Sequence, residues 1–311
     1  MSDIFTAASN GDLKRIKEIV KNLNDKFGEQ TAKEILGAKD SSGHTILHVA
    51  ASEGRTLFCK YLVDTIKFDI DCKDRMGYTP LHYAVFEGNF MTSSFLLDHG
   101  ADPNMTCNAG LTALHYAAKK GRKDQVKLLI TKGDVVNAPS ASRGTPLRFA
   151  AHGKRDALKI LLEHKANPNY TSHPLLNPLM VAILDKSLDC IRLLLKNDAD
   201  PNLGLEKPLV VAVFGGNKEI IKCLLQAGAD PNATNFRDLT PIEIAAMEGH
   251  LTVVDTLFDI TARIPHIPTW SCFGIHEYIN SQEAKHQREL KAKAKFLEAN
   301  ENGAQAIRAI T

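Results

Sequence analysis

The sequence predicts an all-α repeat protein: about eight helix-turn-helix units with short β-hairpin fingers, plus one C-terminal helix. Three observations carry that prediction. A tetrapeptide of the form Thr-Pro-Leu-His recurs, whole or altered, at Thr45, Thr79, Thr112, Thr145, Asn177, Lys207 and Thr240, at spacings of 34, 33, 33, 32, 30 and 33 residues. A period in this range marks units that each bury their apolar face against a neighbour. Helix start signals stand at that tetrapeptide, and helix stop signals follow it at regular distances.

The third copy, Gly77 to Asn104, shows the logic of one unit. The Thr79 hydroxyl can accept an orphan amide proton at the helix start, and Pro80 sits at the first helical position, where no donor is needed. Gly88 ends this helix. A second helix turns Phe95, Leu96 and Leu97 toward the core until Gly100 supplies a left-handed stop. Asp102-Pro103-Asn104 then leaves extended, because proline forbids helix and restricts the residue before it.

The first copy is longer than a unit, and Ala32, Ile35 and Leu36 suggest an extended second helix. Residues 1–41 are read as an N-terminal capping repeat whose Lys14, Arg15, Lys17 and Glu18 face water. Copies two to four are regular. Copy five replaces the motif histidine with Arg148, copy six carries Asp185-Lys186-Ser187 in place of the mid-turn glycine, and copy seven has Lys207 where threonine would cap. Copy eight recovers Thr240-Pro241-Ile242. The array is assigned to residues 1–264, and residues 265–311 to a proline-punctuated linker and a charged helical tail from about Ile275 to Ala299, with capping by Trp270 and Phe273 expected.

Composition excludes several classes of partner. The chain is 44% hydrophobic and 24% charged with a formal net charge of +2, so nothing draws it generally toward nucleic acid or membrane. No apolar run is long enough to span a bilayer, and the N-terminus lacks the basic and apolar regions of a secretory signal. Six dispersed cysteines without a Cys-x-x-Cys pair suit a reducing compartment, the cytoplasm and also the nucleus.

Thr79-Pro80-Leu81-His82-Tyr83-Ala84, Thr112-Ala113-Leu114-His115-Tyr116-Ala117-Ala118 and Gly228-Ala229-Asp230-Pro231-Asn232 resemble the ankyrin-repeat family over roughly the first 265 residues. The resemblance implies an ankyrin solenoid and a non-catalytic scaffold that binds a protein or peptide on its concave surface. Pro268-Thr-Trp-Ser-Cys-Phe-Gly-Ile275 and Ala294 to Ala304 are similar to plant ankyrin proteins with a C-terminal tetratricopeptide domain, here without that domain. That narrower resemblance implies an alternative: a chaperone-linked adaptor or regulator whose tail docks a partner.

In the ankyrin family the groove is lined by finger tips and the exposed ends of first helices. Carried onto this sequence, the partner-binding positions are Arg75, Met76, Tyr78, Phe86 and Glu87, then Asn108, Leu111, Lys119 and Lys120, and later Phe236 and Arg237, with Phe214, Leu239 and Met247 also offered. Aromatic, Met and Arg side chains in such places make an interface strip. For Phe86 and Phe214 an inward, core-facing position competes evenly.

No enzyme is expected. Motifs for a nucleophile elbow or a phosphate loop are missing, and an open groove offers no pocket for convergent groups. His48, His82 and His115 read as hydrogen-bonding bridges between turns and not as metal ligands. His44 and His48 have a helical metal-pair spacing, but Thr45 breaks the helix between them. Neither metal nor cofactor is implied, and the partner set is protein or peptide, with no nucleic acid, no membrane insertion and a monomeric chain.

Overall fold

The computed structural model describes residues 2–140, 144–171, 177–282, 284, 285 and 287–289. They form two compact units, residues 1–198 and 199–311. In the first unit, copy one contributes Ser2–Asn10, Leu13–Phe27 and a separate helix Glu29–Leu36. The expected extended helix is thus two helices. Gly28 divides them at φ 81°, a backbone state that only glycine adopts without strain.

The next copies supply helix pairs: Ile46–Ser52 and Thr56–Lys60, Pro80–Glu87 and Phe90–Asp98, Ala113–Lys120 and Lys123–Thr131, Pro146–Ala150 and Arg155–Glu163, Pro178–Leu184 and Leu188–Lys196. Thr45, Thr79 and Thr112 cap the first helices reciprocally with the histidine three residues on. His82 Nδ1 accepts the Thr79 amide at 3.2 Å, and its Nε2 donates to the Leu111 carbonyl at 3.1 Å. One imidazole therefore caps its own helix and ties the following finger. Ala50, Ala84, Ala117 and Ala150 are fully buried, and side chains this small let neighbouring first helices pack closely.

In copies two and three the turn between paired helices is completed by the following copy. Asn89 Nδ2 donates to the carbonyls of Ala51 and Ser52, and Arg122 Nη2 to those of Phe86 and Glu87. These are orphan acceptors at a helix C-terminus, where a cation also meets the negative end of the helix dipole. Gly88 is required twice over: its φ is 91°, and a Cβ there would collide with the Arg122 guanidinium. At the equivalent turn of copy six, Lys186 takes φ 54° without glycine's freedom.

The one-residue excess between copies two and three is absorbed in the second helix of copy two, which widens into a π turn at Tyr61–Thr65. The fingers differ from expectation. They close without extended strands, on a backbone hydrogen bond such as the Asp74 amide to the Tyr78 carbonyl or the Cys107 amide to the Leu111 carbonyl, both 3.0 Å; in copy three an Asx turn tightens the finger, Asp74 Oδ1 accepting the amides of Met76 and Tyr78 at 2.8 Å each. Among the described residues no strand forms, and the β pairing is a single bridge between Ser140 and Gly144.

In the second unit, copy seven forms Pro208–Phe214 and Lys218–Gln226, copy eight forms Pro241–Met247 and Leu251–Phe258, and Cys272–Asn280 follows. Lys207 stands where threonine would cap and leaves the helix start without a side-chain cap; its ammonium instead donates to the carbonyls of Asn202 and Gly204, which closes the short finger. Ile275 and Ile279 of the last helix are buried at 0% and 2%, and Trp270 stacks on Phe258 with ring centroids 5.6 Å apart. Phe273, expected to cap beside Trp270, is 75% exposed instead. Two residues of helical offset decide this, since they turn Phe273 about 200° away from the inward face that positions 275 and 279 share. The charged tail predicted to continue to Ala299 lies largely outside the described residues.

Candidate functional site

In the first unit a row of aromatic and imidazole rings lies at the seam between fingers and first helices. Tyr78 stands edge-on to His82, Tyr83 and Tyr116 at centroid distances of 5.7 to 5.8 Å, and Phe86 stands edge-on to Tyr116 at 5.9 Å. The Tyr78 and Tyr116 hydroxyls meet at 2.9 Å. At one end, His44 bridges Asp40 and the Tyr83 hydroxyl at 2.9 Å each, and Tyr83 donates to Asp74 at 2.7 Å. Burial, reinforced by the Asp74 hydrogen bond, pushes the Tyr83 hydroxyl up from its ordinary value.

The expected site residues divide around this row. Arg75 and Met76 project from the finger tip, Met76 at 59% exposure, and the Asp74 turn holds both in place. Asn108 is exposed, but its amide group is committed: Nδ2 donates to the Arg75 carbonyl at 2.9 Å, so it fixes the neighbouring tip. Tyr78 and Phe86 are half-buried, each with an accessible edge. Lys120 Nζ sits 4.0 Å above the Phe86 ring, and Lys119 and Glu87 are exposed beside it.

Leu111 is a correction. It is 2% exposed and offers only its carbonyl, to His82. Its position next to a helix cap turns the side chain inward, so it supplies core and no contact surface. In the second unit Phe236 is 69% exposed with the Arg237 guanidinium 5.3 Å from its ring centre, and Phe214 points outward at 48%. Leu239 is buried and Met247 half-buried.

Chemically this face can recognise but offers little for catalysis. Burial pulls His82 and His115 down to about 4, so both are neutral near pH 7, and their ring nitrogens are already spent on backbone groups. Burial raises the thiols of Cys59 and Cys72 to about 12 and about 11, far from reactive thiolates. Among the described residues no group of three or more His, Cys, Asp or Glu side chains gathers to hold a metal ion, and no helix is long and apolar enough to cross a membrane.

Sequence reasoning did not single out Tyr83, Tyr116 and His44 as one network. The signal was present, since His-Tyr-Ala stands at both residues 82–84 and 115–117. It also passed over Asp134, which the structure buries at 5% exposure without a hydrogen bond to either carboxyl oxygen.

The chain is similar to known proteins in sequence and in fold. A family model described as ankyrin repeats in three copies matches residues 4–107, 94–172 and 179–266. Human BCL-6 corepressor-like protein 1 is 38% identical over 98 residues, 31% of this chain and 6% of that protein. Mouse protein phosphatase 1 regulatory subunit 12A is 47% identical over 57 residues, 18% of this chain and 6% of that one. The crystal structure of the human ASB11 ankyrin repeat domain superposes with a TM-score of 0.61 at 27% identity, covering 68% of this chain and 97% of the other. Period, caps, imidazole bridges and matched span agree: the chain belongs to the ankyrin-repeat family.

Proposed function

We propose that this protein is a non-catalytic scaffold whose first unit binds a protein or peptide on its concave face, across the finger tips and first-helix ends of copies three and four. The observation that carries the reading is Met76: a large apolar side chain held 59% exposed by a rigid Asx turn, beside Arg75 and the half-buried aromatic row. Exposed apolar anchors on pre-organised backbone lose little entropy on binding. Arg75, Met76, Tyr78, Phe86, Glu87, Lys119 and Lys120 form the contact strip, with Asn108 setting the tip. A regulatory subunit among the matched relatives is in keeping with such a role.

The array is taken as residues 1–264 with residues 1–41 as its cap, and the chain as a monomer of the cytoplasm and nucleus. The packing of Ile275, Ile279 and Trp270 supports a capping role for the start of the tail. The chaperone-linked alternative rested on Pro268 to Ile275 and on Ala294 to Ala304; the second of these lies outside the described residues, and the family match ends at residue 266.

The test is affinity capture with the chain carrying Arg75→Glu and Met76→Glu. Both side chains are exposed, so the circular dichroism signal should persist while specific partners are lost. Capture of the same partners at the same yield would refute the assignment of the face.

A further inference from the structure

The second helices of copies two and three carry exposed apolar side chains that serve neither the core nor the finger face. Leu57 is 69% exposed, Met91 71% and Phe90 41%. Leu57 and Met91 hold the second position of their helices, Thr56–Lys60 and Phe90–Asp98, where copies four to seven carry Asp124, Asp156, Asp189 and Glu219. A carboxylate in the first turn meets the positive end of the helix dipole, so folding alone favours the acid there. Side chains this exposed recover little stability through burial. Two neighbouring copies thus exchange a stabilising charge for apolar surface turned to water, and folding does not account for the exchange.

The two helices lie side by side, with the Thr56 and Thr92 hydroxyls meeting between them at 2.7 Å. One turn on from Leu57 and Met91, half-buried Tyr61 and Phe95 extend each apolar row, since residues four apart share a helix face. Tyr61 also opens the π turn that widens its helix. Beyond Phe90 lies a hollow of about 360 Å³, lined by Phe90 and, from the helix Lys123–Thr131, by Asp124, Lys127, Leu128 and Thr131. Protruding side chains beside a hollow that admits another from outside are the ridges and groove onto which a helix packs.

The charge left around this patch, once internal pairs are set aside, is mostly positive. Lys17 lies over the Tyr61 ring at 5.6 Å, Lys60 stands one turn after Leu57, and Lys123 and Lys127 share a face of the next helix. All four are exposed, and among the described residues none pairs with a carboxylate. Of the acids on these helices, Glu18 meets Arg15 at 3.8 Å, Asp64 meets His99 at 3.6 Å and Asp98 meets Lys132 at 2.6 Å. Glu53, like Glu87, belongs to a first-helix end and to the finger face. Asp124 alone stands exposed and unpaired against the four lysines.

We propose that this patch binds an amphipathic helix of a partner protein, which lays its apolar stripe across Leu57, Met91 and Phe90 and carries Asp or Glu on its flanks toward the four lysines. The surface is separate from the finger face, so the inference goes beyond the scaffold reading given above. A bilayer is the poorer occupant, because a helix can set a neutral or basic residue opposite Asp124 and a uniformly anionic lipid surface cannot. A second copy of this chain would bring the same lysines against one another across a two-fold interface. An added strand has no place to pair, since no strand forms among the described residues of these copies.

Leu57→Asp with Met91→Asp tests this, because it restores the acid that copies four to seven carry. Random peptides of about 16 residues, displayed on phage, are panned on the full chain and counter-selected on this double variant. Enriched peptides should space Leu, Phe or Met at i, i+3, i+4 and i+7 among Asp and Glu, gain helical circular dichroism on binding, and lose affinity as salt rises. They should bind the double variant at least tenfold more weakly, while its melting temperature is unchanged or higher. The same peptides should bind the Arg75→Glu, Met76→Glu chain unchanged, so that this test and that of the finger face fail independently. The proposal is overturned if no such peptide survives counter-selection, if the enriched peptides lack acidic flanks, or if the double variant melts at a lower temperature, which would return Leu57 and Met91 to folding. It is overturned too if vesicles of phosphatidylcholine and phosphatidylserine bind the parent chain and not the double variant, or if the parent sediments as a dimer that the substitutions dissolve.

Discussion

Replacing Asp134 with alanine should stabilise the protein, increasingly so as pH rises. Asp134 occupies the place in the finger where other copies bury Ala101, Ala166, Ala199 and Ala229 at 4–5% exposure. Its two oxygens close no hydrogen bond, and the nearby amide of Val135 already donates to Asn104 Oδ1 at 2.9 Å. Desolvation therefore raises the carboxyl from 3.8 to about 8, with the amides of Leu114 and Val135 offsetting only part of that rise. The native state keeps the proton that the unfolded chain releases above pH 4. Stability is consequently lost as pH climbs from about 4 to about 8 and is level beyond. Since a tenfold difference in proton affinity is worth ~1.4 kcal/mol, the penalty is roughly 2 kcal/mol at pH 5, 4 at pH 7 and nearly 6 at pH 9. Opening of the finger to admit water sets a ceiling below those figures. Urea titrations of both proteins at pH 5, 7 and 9, followed by circular dichroism, should show the gap between Asp134→Ala and the parent widening with pH. A gap that is flat across that range would refute the reasoning.

Three further outcomes are expected. Lys186→Gly should raise stability by about 0.5–1 kcal/mol, because φ 54° strains lysine and the side chain is exposed; equal or lower urea midpoints would count against it. Acid should weaken the first unit below pH 6.5: His82 and His115 have folded-state values near 4, so the unfolded chain takes up protons first, and stability falls between about 6.5 and 4. His82→Gln should flatten that acid limb in a melting series at pH 7, 6 and 5, although it weakens the protein at pH 7. Removal of residues 268–311 should lower the melting temperature of the second unit, since it uncovers the faces that Ile275, Ile279 and Trp270 shield; an unchanged melting curve would deny them a capping role.

The unit was legible because its signals are local. Thr79-Pro80 and Gly88 act through backbone groups within a few residues, and the structure places a capped start and a left-handed stop at those positions. The missing glycine at Lys186 was also visible, and the backbone there keeps the left-handed turn regardless. Side-chain direction was less legible. Phe214 and Phe86 hold corresponding places in their copies, yet one is outward and the other half-buried under Lys120, because the neighbouring copy decides what covers each ring. Leu111 and Phe273 show the same dependence on tertiary context. Asp134 escaped notice for another reason: a finger reads as polar, and only packing reveals that this position in it is closed to water.

The way Asn89 and Arg122 close the turns of the preceding copies gives the chain a direction in time. During synthesis the carbonyls of Ala51, Ser52, Phe86 and Glu87 leave the ribosome well ahead of the donors that complete them, which follow some 35 residues later. The helix pairs of copies two and three stay open at one end until their successors are made. Maturation of one copy is thus set by translation of the next, and a ribosome that pauses within copy four holds copy three unfinished.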